Sequence, residues 1–87
     1  MPRIEKEILV KSHQGLHARP AALFVQMAVK YDSNLNIKKD NEIVNGKSIM
    51  GILMLGIQSN TRIILIAEGE DAEALMNELE AFLSKDE

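Results

Sequence analysis

The chain has 87 residues, a formal net charge of −3 and 46% hydrophobic residues, with two Phe, one Tyr, no Trp and no Cys. This length suits one small domain, residues 1–87, with an aliphatic core. The lack of cysteine excludes disulfides and thiolate metal sites and is compatible with a reducing cytosol. Few aromatic residues and no dense basic stripe argue against nucleic-acid binding. The longest apolar run, 49–57, is too short to span or insert into a bilayer.

Charge is divided unevenly along the chain. Residues 1–67 contain nine basic and five acidic residues, whereas residues 68–87 contain eight acidic residues and only Lys85. The basic part of the chain therefore favours an acidic partner or an anionic group.

The first predicted elements are a strand and a helix joined by a glycine-containing loop. Residues 4–10 alternate as a strand does, with Ile8 and Val10 on one face. Gly15 permits a sharp turn, and Pro20 suits the first turn of a helix. We therefore expect a helix from about 18 to 30.

His17 stands at the predicted start of this helix. Unpaired backbone amides make a helix N-terminus an anion site, and Arg19 adds a cation whose donors fit phosphate. A neutral imidazole is itself a nucleophile near pH 7. The pattern indicates a histidine that accepts a phosphoryl group; the alternative is a histidine that caps the helix or faces solvent. His13 lies four residues before His17, but a third metal ligand is missing, so we expect a solvated His13 and no metal site.

The predicted first helix has two apolar faces. One has core spacing and consists of Ala21, Phe24, Val25 and Ala28. The other consists of Ala22, Leu23 and Met27. Scattered exposed apolar residues are ordinary, but two of these three flank the turn that carries His17, which favours a docking surface.

A hairpin and a short helix follow. Leu35 and Ile37 begin a second strand, 40–41 is a turn, and 43–44 form a third strand. Ser48 suits the N-cap of a helix over 49–55. Ile52 and Leu55 can face the core, while the opposite side carries Ile49, Met50, Leu53 and Met54. That side is either an exposed, adaptable binding surface or buried by a fold that covers both sides of the helix.

The last elements are an apolar strand over 63–67 and a helix over 72–84 that Glu70 or Asp71 caps. The core stripe of this helix consists of Leu75, Met76, Leu79, Phe82 and Leu83. The order β-α-β-β-α-β-α predicts an α+β fold, with three helices on one face of a four-stranded sheet. The residue pattern leaves the strand order open.

Two motifs carry a family resemblance that covers nearly the whole chain. Gly15-Leu16-His17-Ala18-Arg19-Pro20-Ala21 resembles the active-site signature of the histidine-containing phosphocarrier (HPr) family of the bacterial sugar phosphotransferase system. Lys47-Ser48-Ile49-Met50-Gly51 resembles that family's regulatory serine site. The resemblance implies an open-faced sandwich with an antiparallel sheet in the order 1-4-2-3.

The resemblance also implies a function. Enzyme I transfers a phosphoryl group to Nδ1 of His17, and the group then passes to sugar-specific enzyme IIA proteins. The chain would be a stoichiometric carrier, not an enzyme, acting as a cytoplasmic monomer without a cofactor. Arg19 assists the transfer, and Ala18, Arg19 and Gln14 bind the phosphate. Family members commonly have Asn or Ser where Gln14 stands, and Gln carries its amide on a longer arm.

Further implications concern partners and regulation. The expected docking residues are Leu16, Ala18, Ala22, Leu23, Ile49, Met50 and Leu53. Ser48 would be phosphorylated by a serine kinase/phosphorylase, and a transcriptional regulator is a further partner in carbon catabolite regulation. The alternatives are a regulatory paralogue, a carrier of a nitrogen-regulatory branch, and an enzyme that uses His17 as an intermediate. Purely regulatory paralogues of this type lack the histidine, and no second acid, base or metal cluster supports the enzyme.

Overall fold

A computed structural model describes residues 1–85. In chain order the elements are β1 (Arg3–Val10), α1 (Ala18–Ala28), β2 (Asn34–Lys39), β3 (Glu42–Asn45), α2 (Ile49–Leu55), β4 (Thr61–Glu68) and α3 (Ala72–Leu83). The four strands form one sheet in the order β1-β4-β2-β3, and all pairings are antiparallel. This confirms the predicted element order and the strand order that the resemblance implied.

The central strand β4 explains the continuous apolar run in the sequence. Ile63, Leu65 and Ala67 are buried on the helix side of the sheet. Ile64 and Ile66 alternate with them and are half-buried on the opposite face. β4 pairs with β1 along one edge and with β2 along the other, so side chains of both neighbours flank Ile64 and Ile66 on the helix-free face. Its two faces are therefore both apolar, unlike those of an edge strand.

The helices cover one face of the sheet, and they pack against it with the predicted apolar stripes. Ala21, Phe24 and Ala28 of α1 are buried, as are Leu75, Met76, Leu79 and Leu83 of α3. Val25 and Phe82, also predicted for the core, are only partly buried against it. Both lie at the margin of their stripes, where the neighbouring element does not fully cover them.

The end of α1 and the start of α3 differ from the prediction. α1 ends at Ala28, short of 30, and α3 ends at Leu83. Asp71 occupies the N-cap position of α3, but its side chain does not cap the helix. Its carboxylate accepts hydrogen bonds from the Asp32 and Ser33 amides, at 2.9 and 3.0 Å, and from the Ser33 hydroxyl. These bonds, led by that from the hydroxyl, lower the pKa of Asp71 from its usual 3.8.

A second polar contact joins α3 to the segment that follows α1. Glu78 of α3 accepts hydrogen bonds from Lys30 Nζ, at 2.9 Å, and from the Tyr31 hydroxyl. The hydrogen bond from Lys30, followed by that from Tyr31, lowers the pKa of Glu78. The end of α1 is therefore held against α3, which orients the whole helix. None of the helices within residues 1–85 has the length and apolar character needed to cross a membrane.

Candidate functional site

The loop between β1 and α1 is held by backbone contacts just before His17. Gly15 has φ +60°, and a Cβ at this position would overlap the Ile57 carbonyl oxygen. The Leu16 amide donates to the same oxygen at 2.9 Å. Glycine is required here both by its conformation and by the close approach of the 57–58 backbone. The chain therefore enters α1 in a fixed direction.

His17 is the N-cap residue of α1, as the sequence predicted. Its backbone is extended (φ −76°, ψ −168°), and its carbonyl accepts from the Ala21 amide at 2.8 Å. The side chain is exposed and makes no capping hydrogen bond. The capping alternative is thus excluded, and the imidazole is accessible to a reacting group from solvent.

The first turn of α1 presents two backbone donors beside His17. Pro20 is the third helical residue and has no N–H. The amides of Ala18 and Arg19 precede the first intrahelical hydrogen bond and donate to no acceptor within residues 1–85. Such amides and the partial positive charge of the helix end attract an anion.

Arg19 adds an exposed guanidinium to these donors. Several other cations are paired, among them Lys6 with Glu80 at 2.6 Å and Lys30 with Glu78 at 2.9 Å. Arg19 forms no ion pair with any residue that the structure describes. Its charge is therefore available to a phosphate, which a guanidinium can bind through two hydrogen bonds. Gln14 is exposed and lines a surface cavity together with Arg19.

His13 does not join His17 in a metal site. His13 is exposed and lines the same cavity as Arg19, whereas His17 lies outside that lining. In the part of the chain that the structure describes, no three His, Asp or Glu side chains gather at metal-binding spacing.

Ser48 caps α2, as predicted. Its Oγ accepts a hydrogen bond from the Gly51 amide at 3.0 Å. Ile52 and Leu55 face the core, whereas Ile49, Met50 and Leu53 are 43%, 67% and 38% exposed. The alternative in which the fold buries both sides of α2 is excluded.

α1 and α2 pack together, and each carries exposed apolar side chains. Ala18 and Leu23 are exposed on α1, and Ala22 is half-buried. We use "apolar surface" for Ala18, Ala22, Leu23, Ile49, Met50 and Leu53. Met54 on α2 is also exposed, although the predicted docking set left it out.

Leu16 requires a correction. The docking set that the family resemblance implied included it, but its side chain is only 2% exposed and belongs to the core. A side chain in the core packs beneath the loop that carries His17 and is not accessible to a partner.

Lys47 and the cavity beside Arg19 were not predicted. Lys47 Nζ donates to the Tyr31 carbonyl oxygen at 2.7 Å, which links the residue before Ser48 to the end of α1. The cavity has a volume of about 420 Å³ and is also lined by Phe82 and Lys85. Both features join residues far apart in sequence, so no local pattern marks them.

Comparisons with known proteins identify a family for this chain. A family model described as "PTS HPr component phosphorylation site" matches residues 4–85. The HPr-like protein Crh of Halalkalibacterium halodurans is 49% identical over 83 residues, covering 95% of this chain and 99% of that protein. The crystal structure of phosphocarrier protein HPr from Bacillus anthracis has a TM-score of 0.92 and 43% identity, covering 94% of this chain and 98% of that one.

A third relative is described as a dimer. The crystal structure of Crh from Bacillus subtilis has a TM-score of 0.77 and 40% identity, and each chain is covered to 95%. That protein is described as having a swapping domain and forming an intertwined dimer.

Proposed function

This chain belongs to the HPr family of phosphocarrier proteins, and we propose that it accepts a phosphoryl group from enzyme I on His17 and passes it to enzyme IIA proteins in sugar uptake. It is a stoichiometric carrier that works in the cytoplasm and needs no cofactor of its own. Residues 1–87 act as one unit in this role.

The proposal rests on the groups that surround the His17 side chain. An exposed imidazole stands at the start of α1, next to the Ala18 and Arg19 amides and the Arg19 guanidinium, which have no partner among the residues that the structure describes. The imidazole attacks phosphorus, and these donors stabilise the charge on the transferring oxygens. Gln14 is a further candidate donor from the preceding loop.

The apolar surface is the proposed docking site for enzyme I and enzyme IIA. It lies beside His17 on α1 and continues onto α2. Burying Leu23, Met50 and their neighbours against a partner would bring the partner's reacting group to the imidazole. Methionine adapts its shape, which suits a surface that must fit several different proteins.

Ser48 is the proposed regulatory phosphorylation site, used by a serine kinase/phosphorylase. Its hydroxyl lies at the start of α2, next to Ile49 and Met50 of the apolar surface. A phosphate there adds a charge of about −1.5 to −2 beside the apolar surface. A partner that docks on this surface would have to desolvate that charge. Phosphorylation would therefore weaken docking with enzyme I and favour a partner with complementary charge, such as a transcriptional regulator.

A regulatory paralogue is the second candidate function, and similarity to Crh favours it. The 49% identity with the Halalkalibacterium protein exceeds the 43% identity with the Bacillus anthracis carrier. The presence of His17 opposes a purely regulatory role. Assembly does not separate the two candidates, since dimers are described both for Crh of Bacillus subtilis and for an HPr of Thermoanaerobacter tengcongensis.

The test is incubation of the chain with phosphoenolpyruvate and enzyme I, followed by intact-mass measurement. A carrier gains one acid-labile phosphate per chain and loses it when an enzyme IIA is added. Continuous release of inorganic phosphate would instead indicate an enzyme. A chain that gains no phosphate from enzyme I, yet is phosphorylated on Ser48 by a serine kinase, would be a regulatory paralogue.

A further inference from the structure

The cavity of about 420 Å³ lies between the loop after β1, the first turn of α1 and the end of α3. Arg19 and Leu23 contribute from α1, Phe82 from α3, and Lys85 from just beyond α3. Since His17 is outside the lining, the cavity neighbours the acceptor histidine and does not contain it.

The polar lining of the cavity is cationic or neutral. Arg19 and Lys85 are the cations, and Ser12, His13 and Gln14 supply further donors and acceptors. Among residues 1–85, no lining residue is Asp or Glu. Within residues 1–85, neither Arg19 nor Lys85 forms an ion pair. Two cations at one cavity favour a ligand with more than one negative charge, such as a phosphate monoester.

The rest of the lining is apolar. Pro20, Leu23 and Phe82 form this side, and Leu23 is 43% exposed. An inorganic anion would leave these side chains uncovered, whereas a ligand with a carbon skeleton would bury them. The volume falls within the range of small-molecule sites, about 300–1,000 Å³.

We propose that this cavity binds a small organic phosphate, with the phosphate on Arg19 and Lys85 and the carbon skeleton on Leu23 and Phe82. A sugar phosphate is the class that fits, because its hydroxyls can pair with the polar side chains of Ser12, His13 and Gln14. Arg19 cannot serve this ligand and the phosphoryl group on His17 at once, so the two compete. The competition rests on the proposed carrier function; the binding does not.

The test titrates a hexose 6-phosphate into the unphosphorylated, full-length chain and follows backbone amides by NMR. We expect saturable shifts at residues 12–14, 19, 23, 82 and 85 at about millimolar concentration. Lys85→Ala should weaken binding about tenfold. Lys38→Ala, which removes the same charge from the helix-free face of the sheet, should change the affinity less than about twofold.

Three results would overturn the binding site. These are the absence of saturable shifts, an equal loss of affinity in the Lys85→Ala and Lys38→Ala variants, and an affinity for inorganic phosphate equal to that for the hexose phosphate. The first two would leave only diffuse attraction, and the third would remove the role of the apolar side.

The competition is tested by repeating the titration on the chain phosphorylated by enzyme I. The affinity should fall about tenfold or more, and an unchanged affinity would overturn the competition. Lys85→Ala should accept phosphate from enzyme I at the wild-type rate, since Lys85 is not part of the proposed transfer machinery. A chain that fails to accept phosphate at all would refute the carrier function, while the first titration would still decide the binding.

Discussion

At the scale of single residues, the start of α1 offers a phosphate fewer donors than an ordinary helix start. Pro20 removes one of the amides that would otherwise point outward, so Ala18 and Arg19 supply the backbone donors. A carrier must release the group it accepts, and a complete set of donors would hold the phosphoryl group too tightly. In the proposed site, the exposed Arg19 guanidinium would then contribute a large share of the phosphate binding.

Arg19→Ala should slow phosphoryl transfer both to and from His17 by roughly tenfold to a hundredfold, since a charge-assisted hydrogen bond is worth about 1.5–3 kcal/mol. The melting temperature should stay close to that of the wild type, because Arg19 is exposed and forms no ion pair within residues 1–85. Rapid-quench kinetics with enzyme I measure the rates. Arg62→Ala is the matched control, an exposed arginine on β4 that faces Glu7. Equal rates for the Arg19 and Arg62 variants would remove Arg19 from the site.

Residue patterns predicted that His17 stands at the start of α1, but they did not predict that Leu16 is buried. Gly15 and Pro20 constrain the local backbone, so the start of α1 could be predicted from them. Leu16 belongs to a core that includes residues distant in sequence, such as Ile57. No local pattern therefore marks its burial.

At the scale of elements, α2 is a seven-residue helix whose two ends are held by specific contacts. Ser48 caps its start, Gly56 ends it at φ +62°, and Lys39 Nζ donates to the Leu55 carbonyl oxygen at 3.0 Å. An isolated helix of this length would not be stable in water. The caps and the burial of Ile52 and Leu55 hold it, so its other side can remain exposed and apolar.

Ser48→Asp should keep the fold and weaken docking, because Asp can accept the Gly51 hydrogen bond but adds charge beside the apolar surface. Ser48→Ala is the matched control: it loses the cap, at a cost of about 0.5–2 kcal/mol, without adding charge. Thermal melting and the Michaelis constant with enzyme I are measured for both variants. The Asp variant should show the higher Michaelis constant and the Ala variant the lower melting temperature.

Two outcomes would contradict this account of α2. A large drop in the melting temperature of the Asp variant would mean that Ser48 acts mainly through the fold. An unchanged Michaelis constant in a normally folded Asp variant would place α2 outside the interface.

The elements could be predicted from apolar periodicity and capping residues, and the bounds of α2 agree with the prediction at both ends. The role of Asp71 could not be predicted. An acidic residue before a helix usually caps it, but here the carboxylate turns to the Asp32 and Ser33 amides of the loop after α1. Only the folded arrangement brings those amides within reach.

At the scale of the whole molecule, the acidic last part of the chain neutralises cations away from His17. Glu80 pairs with Lys6 of β1, and Glu78 pairs with Lys30 at the end of α1. These contacts fasten α3 to the rest of the fold. Arg19 forms no ion pair within residues 1–85, so none of these carboxylates neutralises its charge.

Asp71→Asn should lower the melting temperature near neutral pH. It should also make the melting temperature fall less as the pH is lowered. The folded state lowers the pKa of Asp71 below 3.8, so the ionised carboxylate stabilises the fold above that value. The stabilisation is lost as the pH falls through the lowered pKa. The difference in melting temperature between the two chains should therefore shrink from about pH 6 to about pH 2.

Glu70→Gln is the control for this titration, since Glu70 is an exposed neighbour outside the hydrogen-bonded group. Its melting curve should follow that of the wild type over the same range. A constant difference between wild type and Asp71→Asn at every pH would show that the ionised carboxylate does not supply the stability.

The sequence pattern predicted two layers at this scale, and the strand order came only from the family resemblance. Alternation shows which face of a strand is buried but not which strand lies beside it. The order β1-β4-β2-β3 depends on pairings such as Ile8 with Ile63 and Ile37 with Leu65, between strands far apart in sequence.

The central claim is that His17 carries the phosphoryl group. The most direct measurement is the phosphate content, by intact mass, of wild type, His17→Ala and His13→Ala after reaction with phosphoenolpyruvate and enzyme I. Both histidines are exposed and outside the core, so each variant should fold. Wild type and His13→Ala should gain one acid-labile phosphate per chain, and His17→Ala should gain none. A full acid-labile phosphate on His17→Ala would contradict the account.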